Sequence, residues 1–286
     1  MAHNKTLPVL EHSQHVILSL IRAETYTVIV PEEQVREFRQ KLDPRFHVES
    51  EDRYIADLRP VLSQRLAENP ESLGWYLQQF IKLAAVRKMS AWGNVLIWDA
   101  DTVPLRKLRF FSRSGVPSYF TAGEHHPEYF AAIERALGLA KQRNHSFIAQ
   151  CFPIARAHAV SFFSAASGLS SGQWWQHLVD SIDFSKPNAF SEYETLGTYV
   201  SAEFPEELDF QRGHWLRNGW LVFSDPEESI RWLPRSLVGV GFSYCSFELH
   251  QTPPEPLTTR KKFYNFVLML SMQVINRIIR RVAEHF

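Results

Sequence analysis

The chain carries only two cysteines, Cys151 and Cys245, in 286 residues, far below the density with which small secreted domains staple themselves by disulfides. A reducing compartment suits such usage, so the cytoplasm is the expected location. No stretch of about 18 uncharged apolar residues, the length a spanning helix needs, occurs anywhere, and residues 1–6 lack the apolar core of a signal peptide. Export by that route and threading through a bilayer are therefore not expected. Only 12 residues are Gly, which excludes collagen-like and Gly-rich low-complexity architectures. Neither sign of charge is in excess: Lys+Arg and Asp+Glu both total 31. With no whole-molecule field, a nucleic-acid polymer is not an expected partner, and any basic site must be local.

What is present is core-forming: 45% of residues are hydrophobic and 13% aromatic. A chain of this length fits one large domain plus an extension, here read as a domain over residues 1–225 and an extension over residues 226–286. Residues 26–30 form a β-branched run closed by Pro31, and residues 32–42 have helical spacing. Residues 46–49 read as a second strand, followed by a polar stretch to Asn69-Pro70. Helical intervals return over residues 73–89. Gly93-Asn94 ends them, and the unrelieved apolar run Val95-Leu96-Ile97-Trp98 follows, the pattern of a central parallel strand covered on both faces.

Further strands are expected at residues 118–120 and 146–152, with a helix over 127–139 between them. Residues 174–182 and 192–200 read as short helices, 210–232 as irregular and Trp-rich, and 238–249 as β-like. Residues 252–256 form a Pro-rich stiff linker, and residues 260–286 a long helix. The expected fold class is α/β, with a mostly parallel central sheet flanked by helices and a C-terminal helical extension.

The strand at residues 95–98 runs into Asp99-Ala100-Asp101. In open α/β sheets ligands bind beyond the carboxyl ends of strands, and two carboxylates one residue apart on such a turn suit Mg²⁺ or Mn²⁺ with coordination positions left for phosphate oxygens. Asp99-Ala100-Asp101-Thr102-Val103 also resembles the D-x-D-x-T loop of haloacid-dehalogenase phosphatases, with Val103 where that pattern has Thr and Asp99 as nucleophile. Those enzymes need a later acidic pair, and Asp180, Asp183, Asp209 and Asp225 form neither D-D nor G-D-x-x-x-D. The alternative is a nucleotide-sugar glycosyltransferase of the GT-A type, in which the D-x-D metal bridges the donor diphosphate. A carbohydrate-binding module without catalysis is a third reading.

The segment Gly74 to Leu83, the 95–98 strand with Asp99 to Leu105, Ser146 to Ala149, the Trp174-Trp175 pair and Ser191 to Tyr199 together resemble the DUF6492 family of bacterial glycosyltransferase-like proteins. The resemblance covers roughly residues 8 to 220. It implies a GT-A fold and transfer of a sugar from a nucleotide donor, a UDP-sugar first among them, to a glycan or lipid-linked acceptor in bacterial surface-polysaccharide synthesis. One departure is expected: only Thr6 to Leu10 precedes the helix-like residues 12–22, so the first strand looks clipped.

The resemblance also assigns residues. Lys82, 17 residues before Asp99, and Gln79, one turn earlier on the same helix face, are expected to position donor sugar and phosphate. An inverting transferase needs a carboxylate base for the acceptor hydroxyl. Glu192 and Glu194 are the candidates; on a helix they diverge by about 200°, so only one faces the site, and Glu192, beside the N-cap candidate Ser191, is preferred. A neutral imidazole suits Mn²⁺ as a third ligand, with His250 the first candidate and His214 the second. Trp175, or its neighbour Trp174, offers a flat face to a sugar, and His125 opens a segment suited to line the cleft. Arg156 and Arg212 are plausible phosphate contacts. The basic, apolar residues 260–286 suit either a helix lying on the inner face of an anionic plasma membrane or packing against the catalytic domain or a second copy of the chain.

Overall fold

The computed structural model describes residues 2–168, 173–211, 213–222, 227, 242–248, 257–268 and 271. Two compact units share the chain discontinuously. One comprises Met1–His3, Arg22–Ala100 and Arg109–Gly213, the other Asn4–Ile21, Asp101–Leu108 and His214–Phe286. This partition differs from a single cut at residue 225.

In the larger unit the β-branched run forms β1 (Tyr26–Val30), which Pro31 ends. The chain returns through α2 (Val35–Lys41) to β2 (Phe46–Ser50), parallel to β1 with Tyr26 opposite Phe46 and Val30 opposite Ser50. The polar stretch before Asn69-Pro70, to which the sequence assigned no element, contains α3 (Asp52–Ile55) and α4 (Leu58–Arg65). Its signal was Leu58, Leu62 and Leu66, buried at four-residue spacing. Next comes α5 (Leu73–Met89), whose buried residues run from Tyr76 through Val86, then β3 (Val95–Trp98).

The expected central parallel strand is corrected here. β3 pairs antiparallel with β6 (Cys151–Ile154), Trp98 opposite Cys151, and only Ile97 of its four residues is buried. A four-residue apolar run does not distinguish the two pairing senses, and Pro153 in β6 is a residue of edge strands. Of the strand expected over 146–152 only its end is ladder; Ser146 instead makes an isolated bridge to Ala122. β5 (Ser118–Tyr119) pairs parallel with β7 (Asp209–Phe210). Among the described residues the sheets are thus small and mixed rather than one large parallel sheet, and the class is α/β with helices packed on small sheets.

The remaining helices of this unit are α6 (Pro127–Leu137), α7 (Arg156–Gly168), α8 (Gln176–Asp180) and α9 (Glu192–Glu203). α6 stops at Gly138, which takes φ +68° as a left-handed C-terminal cap. One apolar core joins α4, α5, α7 and α9, including Leu58, Tyr76, Phe80, Phe152, Phe162 and Leu196.

The smaller unit opens with α1 (Leu7–Leu20), Pro8 lying in its first turn. This corrects the clipped strand expected at residues 6–10: Pro is well placed at a helix start, where its missing N–H costs nothing. β4 (Thr102–Pro104) pairs antiparallel with β9 (Phe242–Ser246), which pairs parallel with β8 (His214–Leu216). Val9, Val103, Leu105, Leu216 and Phe247 form its core. Residues 259–268 are helical; the rest of the expected C-terminal helix, apart from residue 271, lies outside the described residues.

Candidate active site

Three contacts fasten the start of α9 to α5. The Ala189 N–H donates to Tyr76 Oη at 2.9 Å, Trp75 Nε1 donates to the Phe190 carbonyl at 3.2 Å, and the Phe80 and Phe190 rings stack at 5.0 Å. The segment Ser191-Glu192-Tyr193-Glu194 has the S-x-x-E pattern of a capping box. Ser191 Oγ accepts the Glu194 N–H at 3.3 Å. A first-turn amide of the helix would otherwise be an orphan donor; the Glu192 N–H finds Gln79 Oε1 at 3.3 Å. Gln79 therefore acts on α9, through its carbonyl oxygen.

One turn further along α5, Lys82 projects into a buried cluster. Its Nζ lies 2.6 Å from Asp99 Oδ1 and 2.8 Å from Glu192 Oε1, ion pairs in both cases. It donates to Tyr193 Oη at 3.3 Å and sits 4.4 Å from the centre of that ring. Tyr193 Oη in turn donates to Asp99 Oδ1 at 2.9 Å. Asp99 is held by its backbone too, its N–H donating to the Gln150 carbonyl at 3.0 Å. Gln150 adopts φ +60°, a left-handed conformation that costs a non-glycine residue free energy and that tends to concentrate at functional sites.

The electrostatics follow from one ammonium facing two carboxylates out of water. Burial alone would push the Lys82 pKa down, but Asp99 and Glu192 outweigh it and hold the ammonium above its ordinary range. Glu192 goes up, because burial and the Asp99 charge exceed the attraction of Lys82. Tyr193 is raised well above 10 by burial and the same two carboxylates, so it stays a phenol and a donor.

Glu194 points elsewhere, as its helical angle requires. Its Oε1 accepts from Ser146 Oγ and, at 3.3 Å, from the Phe147 N–H, and burial raises its pKa despite the Ser146 hydrogen bond. Gly197 explains how α9 comes so close: a Cβ there would lie 2.1 Å from Phe147 Cδ2.

Of the residues singled out in the sequence, Lys82, Gln79, Asp99 and Glu192 meet in one place, with Glu194 on the opposite side of the same helical turn. Asp101 belongs to the smaller unit, where its carbonyl accepts the Phe247 N–H at 2.8 Å and its Oδ1 accepts from Thr102 Oγ1 at 3.4 Å. His214 opens β8 in that unit, while His250 and Arg212 lie outside the described residues. His125 is exposed, stacked on Phe130 with Lys141 Nζ 3.0 Å from its Nδ1. Trp174 is buried edge-on against Phe163, and Trp175 packs half-buried on the same core. Neither offers an open face to the Lys82 cluster by any described contact. Arg156 starts α7, its N–H donating to Asn94 Oδ1 at 3.0 Å. Tyr193 was missed by sequence reasoning, although a phenol set between two acidic residues in a resembling segment was signal enough.

Among the described residues no three His, Cys, Asp or Glu side chains gather into a group able to hold a metal. A hard cation that is bound through substrate phosphates needs only one or two carboxylates from the protein, and Asp99 is a buried carboxylate directly after β3.

The model of the DUF6492 family, a family of unknown function, matches residues 11–220. No curated protein matches the chain. Among solved structures, the chain is similar to the crystal structure of mouse xyloside xylosyltransferase 1 in its apo form, at 13% identity over 87% of this chain and 94% of that one, with a TM-score of 0.44.

Proposed function

The chain belongs to the DUF6492 family, and we propose that it is a metal-dependent glycosyltransferase of the GT-A type, moving a sugar from a nucleoside-diphosphate donor, a UDP-sugar first, to a glycan or lipid-linked acceptor. The observation that carries this reading is the buried Lys82–Asp99–Glu192–Tyr193 cluster at the end of β3. Burying two carboxylates against one ammonium is costly for stability alone, and with both carboxylates ionised the cluster keeps one unit of negative charge. Such charge, with Asp101 two residues on, attracts a divalent cation.

In this reading Asp99 and Asp101 would hold Mn²⁺ or Mg²⁺ together with the donor phosphates; His214, the second imidazole candidate, joins them in no three-residue group among the described residues, and His250, the first, lies outside those residues. The metal supplies charge stabilisation for the departing nucleotide diphosphate. Lys82 and Tyr193 fix Asp99 in orientation. Gln79 secures the turn of α9 that carries Glu192. Glu192 is the second counter-ion of Lys82; its elevated pKa is in the direction that a general base working near neutrality requires. At 1% exposure, it takes up that role only by exchanging Lys82 for the acceptor hydroxyl. Bacterial surface-polysaccharide synthesis is the setting that the family resemblance suggests.

A thermal-shift panel of nucleoside diphosphates and nucleotide sugars, with and without Mn²⁺, tests the reading on wild type and Asp101→Ala. A ligand that binds only the native state raises its apparent stability, by about 2.7 kcal/mol at a hundredfold excess over Kd. The expected result is a shift that needs the metal and is lost in Asp101→Ala. No shift with any nucleotide overturns the proposal.

A further inference from the structure

The helix over residues 259–268 joins a cluster of cations to an open apolar face. Arg260, Lys261 and Lys262 stand in its first turn, and residues 257–268 include no acidic residue. This is the end of a helix where the macrodipole disfavours positive charge, so helix stability does not account for their placement.

One side of the helix is bound to its own unit. Asn265 Nδ2 donates to the Leu221 carbonyl at 2.8 Å, and Phe266 packs on the core that holds Val103 and Phe247. At about 100° per residue, Phe263, Val267, Tyr264 and Leu268 fall along one arc away from that side. They are 67%, 42%, 65% and 47% exposed, and among the described residues only Trp92 and Val160 are other large hydrophobic side chains so open. Single exposed hydrophobics are ordinary, whereas four on one helix face mark an interaction surface.

We propose that this face docks on an anionic lipid bilayer. The helix lies along the surface, Phe263, Tyr264, Val267 and Leu268 enter the boundary of the acyl region, and the exposed Arg260 and Lys261 meet the lipid phosphates, while Lys262 falls on the packed side with Asn265 and Phe266. Charge selects this occupant over a second copy of the chain, which would bring another set of three cations and no anion from the same helix. The inference does not depend on the sugar-transfer reading.

Co-sedimentation of the full chain with phosphatidylcholine vesicles, alone or with about one-third phosphatidylglycerol, tests it at low and high salt. Wild type is expected to bind the anionic vesicles, to bind neutral ones far less, and to be released by high salt. Arg260→Ala and Lys261→Ala are each expected to weaken binding about fivefold, and Phe263→Ser with Leu268→Ser to abolish it. All four residues are exposed, so an unchanged melting curve establishes that the variants are folded. Absence of binding to anionic vesicles overturns the proposal, as does binding that the folded variants retain. Concentration-dependent dimerisation lost in Phe263→Ser with Leu268→Ser, without vesicle binding, overturns it in favour of an interface between copies.

Discussion

Helix α5 carries the same three-membered arrangement twice. Near its middle, Lys82 pairs with Asp99, and Tyr193 donates to that carboxylate while lending its ring to the ammonium. Near its end, Lys88 Nζ lies 2.8 Å from Glu49 Oε2, Tyr54 donates to the same oxygen at 2.8 Å, and the ammonium sits 4.6 Å from the Tyr54 ring centre. The outer triangle is open to water, the Lys88 side chain being 49% exposed, and joins α5 to β2 and α3. The inner one is buried and has gained a second carboxylate, Glu192. Ordinary surface chemistry is enough to explain the first. The second is expensive to bury and unbalanced in charge, which separates a fastening from a candidate site.

The sharpest way to break the comparison is to remove each lysine. Lys82→Met leaves two buried carboxylates facing one another, and the expected loss is about 3–5 kcal/mol of folding stability, read from the urea midpoint at constant m-value. A loss no greater than that of a surface variant would mean that water reaches the cluster.

The two triangles also have opposite signs in pH. Glu192 is raised above 4.5 by burial, against the pull of Lys82. The folded state therefore binds its proton more tightly than the unfolded one, and the contribution of Glu192 is complete below 4.5 and is lost as pH rises through the higher folded value. Burial alone would also raise Glu49, but the Lys88 and Tyr54 hydrogen bonds win and lower it, so its contribution is present above 4.5 and is lost as pH falls through the lower folded value. Glu192→Gln should consequently gain in melting temperature relative to wild type as pH goes from about 5 to 8. A difference flat in pH would show Glu192 to be fully ionised throughout.

The smallest expected effect is that of Lys88→Met, under about 1 kcal/mol in the same urea experiment, because an exposed ion pair is screened and entropically costly to hold. A value rivalling that of Lys82→Met would erase the distinction between the triangles.

Periodicity made α5 and β3 legible with their bounds, 73–89 and 95–98, and the same angular argument separated Glu192 from Glu194 before any contact was known. The start of α1 at Leu7 was hidden, because Pro8 reads as a breaker unless the helix is known to begin there. The pairing sense of β3 was hidden for a different reason: an apolar strand of four residues records that it is covered, not by what. Within the site, Asp99, Lys82 and Gln79 were visible as chemistry, but not that Lys82 and Gln79 turn toward α9. That choice is made by tertiary contacts such as the Phe80–Phe190 stack and the close approach at Gly197, which local sequence does not encode.

The hydrogen bond between Lys82 and Tyr193 spans 111 residues of chain, and this separation sets an order of events during synthesis. Translation at about 5–20 residues per second takes roughly 5 to 20 seconds to cover that interval. Asp99 follows Lys82 by 17 residues, and for the rest of the interval the two have emerged without Tyr193 or Glu192, as a one-to-one pair with no surplus charge. The unbalanced cluster is completed only when α9 arrives, so the part of the protein with the most to lose from water is assembled after α5 and β3 have had time to fold around it.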